Sequence, residues 1–331
     1  MPRAGTQTTM RAIVQDRYGS ADVLRLAERN RPTLKADQVL VRVHAAGLDR
    51  GTWHLMTGLP YLVRLGFGLR RPRNPVPGRD LAGTVVAVGA QVTRFKVGDE
   101  VFGTGLGSWA EHAAAPENRL THKSAGLSFP EAAVLPVSGL TALQAVRDTG
   151  RVQPGHQVLV IGASGGVGCF AVQIARAYGA EVTGVCRGDK ADLVRTLGAT
   201  DVIDYTREDF TTGPTRYDLI IDINGNHRTS QLRRVLAPKG TLVIVGGENG
   251  GTITGGMGRP LRAAMLSPFV RQRLTMLVAN EHHSGLEELS QLVESGQLTP
   301  VVDRSYPLAE AADAMRRLEA GHARGKIAII I

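Results

Sequence analysis

The chain has 331 residues, 43% hydrophobic and 21% charged, enough for two domains of ordinary size with buried cores. Lys plus Arg number 39 against 30 Asp plus Glu, and the resulting +9 permits attraction to nucleic acid, acidic membranes or phosphorylated small molecules. Two cysteines, Cys169 and Cys186, exclude a disulfide framework, and aromatic residues at 5% argue against a nucleic-acid stacking platform.

The first nine residues, MPRAGTQTT, are small and polar. They read as a loose tail rather than a secretory signal, with Met10 as an alternative start. No apolar run approaches the roughly 18 residues of a membrane span. A reduced, cytoplasmic setting without a membrane partner is expected.

Residues 10–125 read mostly as strand and turn. Gln38 to His44 alternates, Thr84 to Gly89 is a second strand, and Lys96 to Val101 carries a turn in its middle. Prolines and glycines punctuate the runs, as in Asn74 to Gly78. From 129 the character changes. Glu131 to Arg147 is apolar at helical spacing, and strands then alternate with helices. Val158–Ile161, Glu181–Cys186, Asp201–Asp204, Leu219–Asp222 and Leu242–Val245 read as strands; Gly166–Ala177 and Lys190–Leu197 read as helices. Such alternation predicts an α/β fold, a Rossmann-type doubly wound parallel sheet over 129–280. After 280 the chain runs helix, strand, helix, strand. This tail is more than the sheet needs, and its expected use is to complete the β-rich module of residues 1–128 with residues 281–331.

The strongest motif joins Val158–Ile161 to the following helix through Gly162, Ala163, Ser164, Gly165, Gly166, Val167 and Gly168. A strand before it and a helix after it make the glycines a dinucleotide-binding turn. Gly165 would let the backbone approach a pyrophosphate, and Gly168 would let the helix pack close to the strand. The exposed amides at the helix start would hold the phosphates. Ala163 stands where the first glycine of the fingerprint is usual, and Gly162 takes over part of the tight turn. The second strand ends at Cys186 without the acid that would hold the ribose hydroxyls of NAD. Arg187 and Lys190 follow, and they would attract a 2′-phosphate, which favours NADPH. The plainer reading makes them surface charges, with Asp189 as a helix N-cap.

With these segments, and with Gly78–Gly83, Gly98–Phe102, Leu135–Ala142, Leu197–Ala199 and Asp204–Tyr205, the chain resembles the medium-chain dehydrogenase/reductase superfamily. It looks most like its zinc-free quinone oxidoreductase (zeta-crystallin-like) branch, from about Met10 to Ile331. The resemblance implies a GroES-like β domain built from both chain ends around a central Rossmann domain. It also implies that Lys190 and Tyr205 contact the 2′-phosphate, that Val137, Thr141 and Asn224 lie near the nicotinamide, and that the protein is a homodimer or homotetramer. Zinc enzymes of this superfamily need a Cys and a His where this chain has Asp49 and Arg79, and an arginine cannot ligate zinc. No metal site is expected, and Asp49 could pair with Arg79 across the cleft floor.

Without a Lewis acid, the expected reaction is hydride transfer from NADPH to a quinone or to the activated C=C of an enone. Charge then develops on a carbonyl oxygen and a proton must be supplied. Tyr61 is the candidate donor and His54 the second, although Tyr61 could pack beside Pro60 and His54 could be a surface helix residue. Arg64, Arg70, Arg71, Arg73 and Arg79 form an acid-free stretch, either a lid or a solvated loop. His112, His122, His282 and His283 show no ligand spacing, and Cys169 reads as buried packing. The competing reading is an NADPH-binding sensor or RNA binder with little catalysis; nucleic acid is the less expected partner.

Overall fold

A computed structural model describes residues 8–225, 227–247, 251–255 and 258–331. At the N-terminus β1 (Thr9–Val14) and β2 (Arg25–Asn30) pair as an antiparallel ribbon. In β3 (Gln38–Leu48) Val39, Val41 and Val43 turn inward, the period-two pattern of a half-buried strand. Asp49 then caps α1 (Arg50–Thr57), and α2 (Val63–Phe67) follows, so helix interrupts the strand-rich half just beyond the Asp49 position. The strands β4 (Asp80–Val88), β5 (Glu100–Thr104), β6 (His112–Pro116) and β7 (Leu120–His122) complete the stretch.

The apolar run at 131–147 divides into α3 (Phe129–Ala133) and α4 (Pro136–Leu143), because Pro136 restarts the helix at its first turn. Ser128 and Glu131 form a capping box ahead of α3. Beyond them run β8 (Gln157–Ile161), α5 (Gly166–Ala177), β9 (Glu181–Cys186), α6 (Ala191–Thr196), β10 (Asp201–Asp204), β11 (Tyr217–Asp222), α7 (Thr229–Val235), β12 (Leu236–Ile244), α8 (Gly258–Leu266) and β13 (Arg273–Met276). The strands pair in parallel in the order β10-β9-β8-β11-β12-β13. The order reverses between β8 and β11, which opens a crevice at their carboxyl ends. The last strand, β13, has no counterpart in the sequence reading: Arg273–Met276 is too short and polar to signal itself.

The chain then returns through α9 (His283–Glu294), β14 (Val302–Pro307), α10 (Ala311–Glu319) and β15 (Lys326–Ile330). Antiparallel pairing of β15 with β3 inserts the C-terminus into the first sheet, ordered β14-β15-β3-β4-β5-β7 with β6 also on β3. Ile327 and Ile329 pack with Val41, Val43, Leu48, Trp109 and Met315 in one core. Burying each isoleucine stabilises that union by roughly 2 kcal/mol. No helix among the described residues is long and apolar enough to cross a membrane.

Candidate functional site

The turn between β8 and α5 stands at the reversal point of the parallel sheet. Gly162 and Ala163 both donate their amides to the Val185 carbonyl at 3.0 Å, which ties the turn to β9. Gly162 has φ +88°, and a Cβ there would come within 2.6 Å of the Asn224 side-chain oxygen. Asn224, at the end of β11, therefore seals the first part of the turn. Gly168 is glycine for contact: a Cβ would meet the Gly162 carbonyl oxygen at 2.1 Å. Gly165 is different. Its φ of −85° suits any residue, and a Cβ would meet nothing closer than 3.4 Å. The protein itself does not demand glycine there, and the space beside it is open. The first three amides of α5, Gly166, Val167 and Gly168, have no acceptor within the helix, and no side chain caps them. Bare amides, a helix dipole and room for close approach are what a diphosphate requires. Ser164 is buried beside them, and its carbonyl accepts from Gly325 at 3.0 Å, so the returning chain end rests on this turn.

At the carboxyl ends of β9 and β10 lies an open pocket of about 590 Å³, lined by Arg187, Gly188, Asp189, Asp204, Thr206 and Arg207. Tyr205, next to it in the chain, is exposed. Arg187 is exposed but bonded to Asp189, at 2.8 Å through Nε and 2.7 Å through Nη2. That guanidinium holds the Asp189 carboxyl down at about 2. Asp189 is thus a partner of Arg187 and not the N-cap of the sequence reading. Lys190 differs more. Its ammonium turns away, donating to the carbonyls of Gly321 at 3.0 Å and Ala323 at 2.8 Å. Burial pushes its pKa down. A lysine whose stem is buried and whose head has two acceptors ties down the C-terminal segment; Arg187 and Arg207 are the cations that line the pocket. Replacing Arg187 with alanine should weaken NADPH roughly tenfold and leave NADH nearly unchanged. Lys190→Ala should lower thermal stability and alter the ratio of the two affinities little. Paired titrations of both nucleotides check this, and equal ratios for the two variants would refute the assignment.

Val137, Thr141 and Ser138 sit on the first turns of α4. The Val137 amide donates to Asp80 Oδ1 at 2.9 Å, and the Thr141 hydroxyl donates to the Val137 carbonyl at 2.6 Å. Lys326 Nζ donates to Ser138 Oγ at 2.9 Å and lies 3.6 Å from Asp80 Oδ2. Both charged side chains are essentially inaccessible to water. Burial pushes the Asp80 carboxyl up to about 7, against the pull of Lys326 and with a further push from Asp49. Sequence reading missed this cluster. Asp80 lies inside the Gly78–Gly83 segment and Lys326 at the head of the apolar C-terminal run, and neither points to the other by spacing. A lone lysine opening a buried strand was the available signal.

Asp49 and Arg79 do not pair. Asp49 Oδ1 accepts from the Thr52 amide at 2.7 Å, an N-cap bond for α1, while its buried Oδ2 has no hydrogen-bond partner. Arg79 bonds Glu281, whose other oxygen accepts from Thr104 Oγ1 at 3.0 Å. The chain entering α9 supplies a closer acid than α1 does. A capping aspartate and an ion-paired arginine do not fit a zinc ion. His54 Nδ1 faces the Leu59 carbonyl at 2.7 Å, which makes it the donor and braces the turn after α1. Tyr61 is exposed, its ring 4.6 Å from the Arg64 guanidinium, and its amide donates to Thr252 at 2.8 Å. Tyr61 thus belongs to the turn that bridges to residues 252–255, and His54 on α1 braces that turn. Cys169 is buried, and burial pushes its thiol up to about 12, consistent with packing.

Residues 35–125 match the family described as alcohol dehydrogenase GroES-like domain, and residues 197–329 match the family described as zinc-binding dehydrogenase. The mitochondrial NAD(P)H oxidoreductase RTN4IP1 of Bos taurus is 33% identical over 97% of this chain and 89% of its own. The chloroplastic NADPH-dependent alkenal/one oxidoreductase of Arabidopsis thaliana is 34% identical over 97% of this chain and 79% of its own. The solved structure of the quinone oxidoreductase from Coxiella burnetii superposes with a TM-score of 0.86 at 29% identity, covering 98% of this chain and 99% of that one. The expectation of a cytoplasmic setting draws no support from relatives named for mitochondria and chloroplasts.

Proposed function

Because the chain belongs to the medium-chain dehydrogenase/reductase superfamily, within its zinc-free quinone oxidoreductase branch, we propose that it uses NADPH to reduce a quinone or the activated C=C bond of an enone. The observation that carries the reading is the uncapped start of α5 at the sheet's reversal point, with unclaimed space around Gly165. NADPH, when bound, supplies the hydride. Gly166, Val167 and Gly168 would hold its pyrophosphate by their amides, and Arg187 with Tyr205 would flank the 2′-phosphate. Val137 and Thr141 on α4, with Asn224, would border the nicotinamide; Asp80 fixes that end of α4 through the Val137 amide.

Reduction of a conjugated carbonyl suits the residues better than oxidation of an alcohol. An alcohol route needs a Lewis acid against the developing alkoxide, and the residues standing at the zinc-ligand positions, Asp49 and Arg79, do not fit one. A quinone or enone carries its own electron sink. It needs only donors toward its carbonyl oxygen and a proton source. Tyr61, and after it His54, remain the candidates we propose for delivering that proton, directly or through water. Purified protein should consume NADPH in the presence of small quinones or enones, with NADH a poorer donor. No NADPH oxidation across a broad panel of such acceptors would overturn the proposal.

The homodimer or homotetramer implied by the resemblance belongs to the same proposal. It is supported by the sheet edge at β13, flanked by strongly exposed Phe269 and Val278, and sedimentation equilibrium reads it directly.

A further inference from the structure

The turn that follows α1 exposes a run of large apolar side chains. Leu62, Leu65, Phe67 and Leu69 are all exposed, Leu65 by 65% and Leu69 by 67%. Ile253 extends the patch: it is 65% exposed, and its carbonyl accepts from the Leu62 amide at 3.4 Å. One exposed leucine means little, but a contiguous group is uncommon on a soluble surface and marks a contact face.

A fixed scaffold presents these side chains. The Tyr18 hydroxyl donates to the Gly68 carbonyl at 2.5 Å, and the Arg73 amide donates to Phe67 at 2.8 Å. Arg64 is held between the rings of Tyr18 and Tyr61, at 4.5 and 4.6 Å, and donates to Gly58 at 2.9 Å. The same turn carries exposed Arg70, Arg71 and Arg73. Residues 50–79 contain no Asp or Glu at all. Asp16, whose carboxyl feels Arg71, is already bonded to Arg25.

Leucines rimmed by Arg70, Arg71 and Arg73, which form no ion pair among the described residues, match the boundary of an anionic bilayer. The apolar side chains enter at the level of the acyl chains and the guanidiniums meet the phosphates. A second copy of this chain, at a net +9, is the weaker match for a basic rim than an anionic bilayer. RNA would satisfy the arginines and leave the leucines in water. We propose that the 62–73 turn seats the protein on an anionic lipid surface, from which it draws its acceptor, a lipophilic quinone. The proposal departs from the expectation that no membrane is a partner. The choice of acceptor rests on the function proposed above; the docking does not.

The test is flotation of the full chain with vesicles of phosphatidylcholine alone and of phosphatidylcholine mixed with phosphatidylglycerol. The expected result is binding only to the mixed vesicles, weakened by salt. Arg70→Gln, Arg71→Gln and Arg73→Gln should each lower partition about fivefold. Leu65→Ser with Leu69→Ser should abolish binding while keeping the thermal midpoint and the turnover of a short-chain, water-soluble quinone. The salt dependence of the unmodified protein gives a reading independent of any variant. Equal binding to both vesicles, binding to neither, or binding that survives the loss of both leucines would overturn the proposal. So would a self-association that the leucine variant abolishes in place of vesicle binding. Vesicle binding by a protein that turns over enones but no quinone sinks the choice of acceptor and upholds the docking; turnover of neither class sinks the functional reading as well and still upholds the docking.

Discussion

Gly168→Ala should be among the most damaging single-methyl changes in this chain, and Gly165→Ala, three residues earlier, should leave the fold intact while crippling nucleotide binding. A Cβ at residue 168 would stand 2.1 Å from the Gly162 carbonyl oxygen and 2.8 Å from the Ala163 Cα. Both obstacles are backbone, pinned in turn by the two amides that bond Val185. Neither can rotate away, so α5 must shift off β8. The buried face of α5 includes Phe170, Ala171 and Ile174, and they would lose their packing together. Overpacking of this kind costs about 3 kcal/mol, or roughly 5–10 °C in thermal midpoint. At residue 165 the nearest atom is 3.4 Å away and φ is −85°, so alanine meets neither strain nor clash. Its methyl group would occupy the space left beside the helix amides. NADPH affinity should fall by more than tenfold, or about 1.4 kcal/mol, with the midpoint of the nucleotide-free protein unchanged. Calorimetric titration and thermal melts of both variants decide the matter. A Gly165→Ala protein that binds NADPH normally would remove the diphosphate from this turn.

The same pair of glycines marks what could be read from sequence. Gly165 and Gly168 were assigned from position between a buried strand and a helix, and both bounds of α5 and of β9 agree with that reading. Periodicity is a local property, and these elements carry it strongly. The partners of the charged side chains are not local. Arg79 was matched with Asp49 because both occupy the zinc-ligand positions, yet Glu281 arrives from 202 residues away. Lys190 was given to a phosphate because it follows the second strand; its real acceptors, Gly321 and Ala323, belong to the returning tail. A composition of +9 cannot say which cations are already engaged. Nor could the apolar turn at 62–69 be recognised, since exposure follows from what the rest of the fold fails to cover.

Lys326→Met should destabilise the protein by about 3 kcal/mol near pH 9, where Asp80 would lose the counter-ion of its carboxylate, and by much less below pH 7, where Asp80 keeps its proton. Asp80→Asn should cost much less at neutral pH, because a side chain that titrates at about 7 is held about as well neutral as charged. The double variant should recover much of the loss, since two neutral groups leave no orphaned charge. The pH dependence has a definite sign. Asp80 titrates at 3.8 in an ordinary setting and at about 7 in the fold, so the folded protein binds its proton more tightly than the unfolded chain. Its contribution to stability is fully present below about pH 4 and is lost as pH rises through about 7. Denaturant unfolding of the unmodified protein should therefore weaken across that window, and Asp80→Asn should flatten the slope. A slope that Asp80→Asn leaves unchanged would assign the titration to another group. The cluster also matters beyond stability. Asp80 holds the start of α4 through the Val137 amide, Lys326 holds Ser138, and Gly325 rests on Ser164. One short stretch of β15 and its approach thus fixes the proposed nicotinamide wall relative to the proposed diphosphate turn. Lys326→Met should raise the KM for NADPH even at low temperature where the variant remains folded, and an unchanged KM there would confine Lys326 to stability alone.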